Sequence, residues 1–330
     1  MNKVLLCTHE SDVDGIGNVI LGKLAFNDFE YKLYHDVEDL ETSFRNLITS
    51  NYLDKFDKIY ITDLSLYEPS ISMVNDSNLK DRVLIFDHHQ RAINAGLNKY
   101  PFTTIIEEDE TGKRCGTELF YKYLINNNYL ENKKSIETFV EYTRQEDTWD
   151  WKRYGEDGKS AHRLGTLFNV IGRDKYIDLM YEKLKNNDIF FYTKEELQLI
   201  EAKEKEYSSR LKEITDSMEI YTDNFDNRFG AVFSPYQYRN EIPEYIEEKG
   251  NKKNIKYIVI VAMDKGDYGQ KSYRRIDDSI DCNIITSQYN GGGHPAGGAV
   301  VITKNQNEQM KKMQKKEALK YIINSAYEKE

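Results

Sequence analysis

Short apolar runs alternate with amphipathic segments over the first part of the chain. Runs of four or five residues predict strands at 4–7, 31–34, 58–62, 82–86 and 102–106. Helical spacing of apolar residues predicts helices at 17–26, 40–49, 70–75, 117–126, 135–144 and 174–185. This alternation predicts an α/β fold whose mostly parallel, doubly wound sheet carries helices on both faces.

The pattern changes after residue 190. Residues 194–217 are charged, lack Gly and Pro, and carry spaced apolar residues, which predicts a long helix that joins two domains. Strands are predicted at 229–234, 257–263 and 300–303, and a Lys/Glu-rich amphipathic helix at 306–327. The predicted organisation is therefore a catalytic domain at 1–190, a linker helix at 191–218 and a smaller α/β domain at 219–330.

Composition favours a globular protein that acts in the cytoplasm. Of the 330 residues, 39% are hydrophobic and 31% are charged, enough apolar material for a core. No apolar run approaches the roughly 18 to 20 residues of a membrane span, and no signal peptide is expected. The three cysteines, Cys7, Cys115 and Cys282, form no CxxC pair and are expected to be packing residues.

The formal net charge of −10 limits the class of partner. Proteins that hold long nucleic acid usually present a basic face, so a wide surface for duplex DNA is not expected. A small anionic ligand remains compatible with this charge, because bound cations reverse the local sign of a site.

Acidic and histidine residues follow several of the apolar runs. In chain order, the clusters are His9 with Asp12 and Asp14; Asp63; Asp87, His88 and His89; and Asp147. The first three clusters stand at predicted strand ends, and open α/β sheets bind ligands outside the carboxyl ends of their strands. The sequence therefore predicts that these side chains converge on one crevice.

Each cluster also has a structural interpretation. An Asp after a strand often caps the next helix, a His pair is often a polar surface feature, and acidic residues near Trp often lie on a solvated helix face. The combination favours a site, because three of the six histidines, His9, His88 and His89, belong to these clusters.

The predicted ligands are carboxylates and imidazoles without a thiolate. This set suits Mn²⁺, with Mg²⁺, Co²⁺ or Fe²⁺ as alternatives. Its size favours two ions about 3.5–4 Å apart that share a carboxylate and activate a water as hydroxide for phosphoryl transfer.

A second candidate site lies in the C-terminal part. Gly291, Gly292 and Gly293 offer backbone N–H groups to an anion, and His294 adds a side-chain donor. Arg274, on a predicted strand upstream, offers a guanidinium group to a phosphate or carboxylate. A tight turn and an ordinary exposed strand are the alternatives for these two segments.

Together these residues resemble the DHH phosphoesterases, named for Asp87-His88-His89. His9-x-x-Asp12-x-Asp14-Gly15, Asp63, the DHH triplet and Asp147 match the four motifs of that family in order, and the residues 291–294 match the signature of its associated C-terminal substrate domain. The strings at 144–151 and 23–26 resemble the nano-RNase B-type oligoribonucleases most. One departure is the segment Pro295-Ala296-Gly297-Gly298, where a more polar continuation is expected.

The resemblance implies roles for each motif. One ion would be held by His9, Asp12 and Asp63, and the other by Asp14, Asp63, His88 and Asp147, with Asp63 bridging. Asp87 would orient His88, and His89 would contact the scissile phosphate, so that His89, Asp87 and Asp63 are the predicted catalytic residues. Arg274, Gly291, Gly292, Gly293 and His294 would bind the terminal nucleotide or phosphate of the substrate.

The predicted function is a Mn²⁺-dependent phosphodiesterase that hydrolyses short single-stranded oligonucleotides or linear dinucleotides to mononucleotides. One alternative is the same chemistry on 3′-phosphoadenosine 5′-phosphate (pAp), a cyclic dinucleotide signal or pyrophosphate. An alternative of another class is a nucleotide-binding sensor without catalytic activity.

Overall fold

The computed structural model describes residues 3–251, 253–264 and 267–324. The chain forms two compact units, the first ending at Lys203 and the second beginning at Glu204. The domain boundaries predicted at residues 190 and 218 remain predictions.

A five-stranded parallel sheet forms the centre of the first unit. Its strands are β1 (Val4–His9), β2 (Phe29–Tyr34), β3 (Lys58–Thr62), β4 (Val83–Asp87) and β5 (Thr103–Ile105). They lie in the order β2-β1-β3-β4-β5, and each neighbouring pair is parallel. The order reverses between β1 and β3, and ligands of doubly wound sheets bind at such a switch point.

Helices complete the first unit. They are α1 (Val13–Ala25), α2 (Val37–Thr49), α3 (Glu68–Asn75), α4 (Gln90–Asn94), α5 (Gly116–Asn126), α6 (Lys134–Asp147), α7 (Gly155–Ile171) and α8 (Arg173–Asn186). A short antiparallel hairpin, β6 (Glu108–Asp109) and β7 (Gly112–Lys113), precedes α5.

Both faces of this sheet are buried. Along β1, Val4 and Leu6 pack into one hydrophobic cluster, whereas Leu5 and Cys7 pack into another. Successive strand residues point to opposite faces, so an uninterrupted apolar strand requires cover on both sides. The predicted doubly wound α/β architecture is confirmed.

The second unit contains a mixed six-stranded sheet. Its strands are β8 (Glu219–Thr222), β9 (Arg228–Pro235), β10 (Tyr257–Asp264), β11 (Asp267–Arg275), β12 (Gly292–His294) and β13 (Gly297–Val301), in the order β12-β13-β11-β10-β9-β8. The remaining helices are α9 (Lys194–Asp216), α10 (Glu241–Glu248), α11 (Cys282–Ser287), α12 (Lys304–Met310) and α13 (Lys315–Asn324). The division between the units falls within α9.

Two predicted elements of the second unit differ clearly from the structure, and α7 is one of the helices that the sequence pattern did not predict. The strand predicted at 300–303 ends at Val301, because Thr303 caps α12 through a capping box with Gln306. The single helix predicted at 306–327 is two helices, α12 and α13, and its residues 325–327 lie outside the described part of the chain. Helix α7 was not predicted from the sequence, because glycines interrupt its apolar spacing.

The described residues contain no helix that is long and apolar enough to cross a membrane. Cys7, Cys115 and Cys282 are buried and carry free thiols, in agreement with their predicted packing role.

Candidate active site

Asp63 stands at the centre of the carboxyl edge of the parallel sheet. It follows β3 directly, and its backbone is left-handed, with φ of 57°. A non-glycine residue in this region is uncommon, and such residues concentrate at functional sites. Its side chain is buried, and Oδ2 has no hydrogen-bond partner. Asp63 caps no helix, so the structural interpretation of this residue does not hold.

His9 and Asp12 face one oxygen of Asp63. Nδ1 of His9 lies 2.6 Å from Oδ2 of Asp12 and 3.7 Å from Oδ2 of Asp63. Nε2 of His9 lies 3.1 Å from the carbonyl oxygen of His35. Donation from Nε2 to that carbonyl leaves Nδ1 as the lone-pair nitrogen, the arrangement typical of a metal-binding imidazole. Asp12 also caps α1, because its Oδ1 accepts a hydrogen bond from the amide of Gly15. Its side chain therefore fits both the role of a helix cap and that of a candidate metal ligand.

His88 faces three carboxylates on the other side. Its Nε2 lies 3.3 Å from Oδ1 of Asp63, and 3.6 Å from an oxygen of Asp14 and from one of Asp147. Asp14 lies in the first turn of α1, and Asp147 is the last residue of α6. The structure therefore brings together all six predicted metal ligands.

The candidate ligands form overlapping groups that could hold a metal ion. Within each group, the candidate ligand atoms lie within 4.8 Å of one another. The groups are His9, Asp12 and Asp63; Asp14, His88 and Asp147; and Asp63, His88 and His89. Asp63 belongs to two of them, consistent with the bridging position implied by the family resemblance.

Asp14 is fixed by the start of a distant helix. Its two carboxylate oxygens accept bonds of 2.7 Å from the backbone amides of Gly116 and Thr117, in the first turn of α5. A Cβ at Gly116 would lie 2.8 Å from the Cβ of Asp63, and a Cβ at Gly15 would lie 2.2 Å from the carbonyl oxygen of His9. Both positions require glycine, because a side chain there would displace a ligand-bearing backbone.

Asp87 holds His89 rather than the ring of His88. Oδ1 of Asp87 accepts bonds from Nδ1 of His89, at 2.7 Å, and from the backbone amides of His88 and His89, while Oδ2 accepts one from the hydroxyl of Ser65. The role implied for Asp87 is corrected accordingly. The His88 ring turns its Nε2 toward Asp14, Asp63 and Asp147 instead.

Carboxylates dominate the electrostatics of this site. Burial raises the pKa of Asp63 well above its usual range, and the charges of Asp14, Asp12 and Asp147 raise it further. Burial, followed by the charges of Asp14 and Asp12, likewise raises the pKa of Asp147. For His89, the hydrogen bond to Asp87 raises the pKa. Clustered carboxylates with raised pKa values, together with the unpartnered oxygen of Asp63, fit a site built for divalent cations.

Four of the six predicted metal ligands, together with His89, line one pocket in the first unit. It is lined by His9, Asp12, His35, Asp36, Val37, Glu38, Asp63, Leu64, Tyr67, His89, Arg91 and Asp147. The sequence did not indicate Ser65, Tyr67 or the amides of Gly116 and Thr117, because loop contacts and helix-start amides leave no signature. Arg91 stands two residues after the DHH triplet, and that proximity could have identified it.

Four of the five predicted substrate-binding residues meet at a pocket of the second unit. Arg274, Gly292, Gly293 and His294 all line it, together with Asn240. Both Nε and Nη2 of Arg274 donate to Oδ1 of Asn240, at 3.3 and 3.1 Å. Nδ1 of His294 accepts a bond from the backbone amide of Ala296, which leaves Nε2 as the donor nitrogen.

The glycines of this segment form a tight hairpin. Gly293 has φ of 155°, and a Cβ there would lie 2.3 Å from the carbonyl oxygen of Gly297. Gly291 packs against the carbonyl of Ala299 and is absent from the residues that line the pocket. Pro295 and Ala296, where the family resemblance predicts more polar residues, form the tip of the hairpin between β12 and β13. The backbone amides of Cys282 and Arg275 donate hydrogen bonds to the carbonyl oxygens of Pro295 and Ala296, respectively. Backbone bonding explains why this tip needs no polar side chains.

Comparison with known proteins agrees with this geometry. The profile of the DHH family, N-terminal domain, matches residues 3–142. Oligoribonuclease NrnB of Bacillus subtilis is 30% identical over 298 residues, which cover 89% of this chain and 71% of that protein.

Two solved structures show the same fold at low sequence identity. The DHH domain of a protein assigned to a family of ribosomal proteins superposes with a TM-score of 0.58 at 13% identity, covering 99% of this chain and 88% of that chain. The pGpG-specific phosphodiesterase PggH of Vibrio cholerae superposes with a TM-score of 0.53 at 13% identity, covering 98% of this chain and 100% of that chain.

Proposed function

The chain belongs to the DHH family and is a metal-dependent phosphoesterase of the oligoribonuclease type, and on this basis we propose that it hydrolyses short single-stranded oligonucleotides or linear dinucleotides to mononucleotides with Mn²⁺. One observation carries the proposal. Carboxylates and imidazoles from three other segments of the chain lie around Asp63, in three overlapping groups that could hold a metal ion.

The proposed metal ligands are the two groups that meet at Asp63. His9, Asp12 and Asp63 would hold one ion, and Asp14, Asp63, His88 and Asp147 the other. Oxygen and imidazole ligands without thiolate favour Mn²⁺, with Mg²⁺, Co²⁺ or Fe²⁺ as alternatives. When bound, such cations lower the pKa of water and offset negative charge on phosphate oxygens.

His89 is the proposed phosphate-binding donor. Its Nδ1 is engaged by Asp87, which leaves Nε2 as the second ring donor. The hydrogen bond to Asp87 raises the pKa of His89, so the ring carries its positive charge to higher pH than a free imidazole does. A charged donor that is already oriented stabilises negative charge that develops on the phosphate in the transition state.

Hydrolysis adds one water across the phosphodiester. A P–O bond forms to the water oxygen, the P–O bond to the departing nucleotide breaks, and the departing oxygen ends with a proton. In this scheme Asp87 is a positioning residue, because its contacts are to His89, to Ser65 and to backbone amides.

The second unit supplies the proposed nucleotide contacts. Arg274, the amides of Gly292 and Gly293, and Nε2 of His294 offer donors to a phosphate or nucleotide in one pocket. Gly291, which the sequence predicts to bind the substrate, packs against the carbonyl of Ala299 and does not line this pocket, so it is not among the proposed contacts.

Incubation of the purified protein with a labelled RNA dinucleotide and Mn²⁺ tests the proposal. Release of mononucleotide by the wild-type protein, and its loss in Asp63→Asn, are the expected results. Ranking pAp, a cyclic dinucleotide and pyrophosphate beside the dinucleotide by kcat/KM identifies the preferred substrate. A higher kcat/KM for any of these three, or metal-saturated protein without turnover of any of them, would contradict the proposal.

A further inference from the structure

Arg91 lies in the metal-site pocket without a carboxylate partner. Its side chain is exposed and lines the same pocket as His89, Asp63 and Asp147. None of the described carboxylates lies within 4.0 Å of its guanidinium nitrogens. This isolation is unusual, because the residues lining the pocket include Asp36 and Glu38 as well as the proposed metal ligands.

The neighbouring acidic groups have other partners. Glu38 accepts a hydrogen bond from the hydroxyl of Tyr67, and Asp36 caps α2 by accepting a bond from the amide of Asp39. Glu41, behind the same loop, bonds to Arg45 and to the amide of Tyr67. These bonds leave Arg91 as a permanent positive charge that no acidic side chain among the described residues neutralises.

Two neutral contacts hold the guanidinium in place. Nη2 donates to the carbonyl oxygen of Ser65 at 3.0 Å, and the guanidinium carbon lies 5.0 Å from the centre of the Tyr67 ring. Nε and Nη1 donate no hydrogen bond to the described residues. An arginine that two contacts orient, and whose Nε and Nη1 remain available as donor nitrogens, is suited to bind an anion with a reduced loss of side-chain entropy.

We propose that Arg91 is a further substrate-binding residue, which donates from Nε or Nη1 to a phosphate oxygen of the nucleotide bound beside His89. The inference rests on the proposed function, since it takes a phosphate-containing substrate as the ligand of this pocket. Arg91 supplies to the acidic pocket a fixed positive charge that does not titrate near neutral pH.

Substitution of Arg91 separates binding from folding. Arg91→Ala is expected to lower kcat/KM for an RNA dinucleotide about 10- to 100-fold, the range typical of a lost charged hydrogen bond. Arg91→Lys is expected to recover part of this loss, because lysine keeps the charge but not the forked geometry. The matched control is Arg210→Ala, which removes an exposed arginine of α9 whose ion-pair partner is Glu213.

The salt dependence gives a readout that a structural role would not change. Loss of one charged contact with the phosphate is expected to make log(kcat/KM) depend less steeply on log[salt] in Arg91→Ala than in the wild type. Arg210→Ala is expected to keep the wild-type slope.

A titration of inorganic phosphate into the Mn²⁺-loaded protein tests the inference independently of turnover. Arg91→Ala is expected to weaken phosphate binding about 10-fold or more, with the melting temperature and Mn²⁺ affinity unchanged. If the dinucleotide is not cleaved but phosphate binding still depends on Arg91, the proposed function fails and this inference stands.

Two results would overturn the inference. One is phosphate affinity and salt dependence in Arg91→Ala equal to those of Arg210→Ala. The other is a fall in melting temperature or Mn²⁺ affinity that accounts for the whole loss of activity, since Arg91 would then act only by holding the Ser65 loop. Arg91→Gln, which keeps a donor for the Ser65 carbonyl, discriminates further: recovered activity in Gln supports the structural role and contradicts the inference.

Discussion

Oδ1 of Asp63 lies 3.3 Å from Nε2 of His88, although the two residues follow different strands and are 25 positions apart. Strands β3 and β4 are parallel neighbours, so the residues that follow them emerge at the same edge of the sheet. This pair links the two proposed groups of metal ligands, so the loss of either side chain should affect the binding of both ions.

Asp63→Asn should abolish catalysis while making the metal-free protein more stable. The amide removes a buried charge that has an unpartnered oxygen, so the melting temperature in EDTA should rise above that of the wild type. Activity at saturating Mn²⁺ should fall by more than about 100-fold, the upper loss seen for residues that only support metal ligands. Thermal unfolding and single-turnover assays check both parts, with Asp76→Asn, an exposed aspartate in the same unit, as the unaffected control. An active Asp63→Asn protein would contradict the assignment of the centre.

The stability of the metal-free protein should decrease as the pH rises from about 5 to 8. The folded-state pKa values of Asp63 and Asp147 are raised, so the folded protein binds protons that the unfolded chain has already lost. Stability from a raised pKa is full below the unfolded value, 3.8 for aspartate, and is lost as the pH passes the folded value. The raised pKa values of His9 and His89 act in the same direction above 6.5.

Addition of Mn²⁺ should reverse this trend, because the ions replace the missing protons. The gain in melting temperature on metal addition should therefore be larger at pH 8 than at pH 5.5, which calorimetry at matched ionic strength measures. A gain that is equal at both pH values would show that the ions bind elsewhere.

Asp87→Asn should lower kcat about 10- to 100-fold and leave Mn²⁺ affinity nearly unchanged. The neutral amide no longer raises the pKa of His89, so the alkaline limb of the pH–rate profile should move to lower pH. Ser65→Ala is the matched control, because it removes one hydrogen bond to Asp87 and keeps the charge beside His89. A large loss of metal binding in Asp87→Asn would instead place Asp87 among the supports of the His88 ring.

Gly116→Ala should destabilise the first unit and weaken metal binding. The added methyl group would lie 2.8 Å from Asp63, and overpacking of this kind costs about 1–3 kcal/mol. Gly269→Ala adds the same group where no atom lies within 4 Å, so its melting temperature should match the wild type. Equal melting curves and equal Mn²⁺ titrations for both variants would contradict this prediction, because they would show that the backbone at Asp63 shifts to accommodate the methyl group without loss of stability.

Arg274→Ala should raise KM for a dinucleotide about 10-fold or more, with a smaller effect on kcat, because the residue is proposed to bind the substrate away from the reacting phosphate. Arg210→Ala is the control. Its side chain pairs with Glu213 and does not line this pocket, so its removal should leave KM unchanged. If the two variants behave alike, the pocket of the second unit does not bind the nucleotide.

The first unit could be predicted from its sequence because its signals are local. Strand β3 matches the predicted range 58–62, since a parallel strand buried on both faces is a continuous apolar run. The positions of His9, Asp63 and Asp87 at strand ends followed from the same pattern.

Contacts between distant residues could not be predicted in this way. Strand β4 ends at Asp87, and His88 and His89 follow it directly. The side-chain rotamers therefore decide which of the two rings Asp87 contacts. The break between α12 and α13 contains neither Gly nor Pro, so the helical spacing appeared continuous. The start of α12 was marked in the sequence, because Thr303 and Gln306 have the spacing of a capping box.

The two amide bonds that seat Asp14 come from residues 102 and 103 positions further along the chain. A polypeptide truncated before Gly116 would contain five of the six proposed ligands but would lack the amides that hold Asp14. We therefore expect a nascent chain to bind divalent ions at this site only after α5 and α6 have folded against α1.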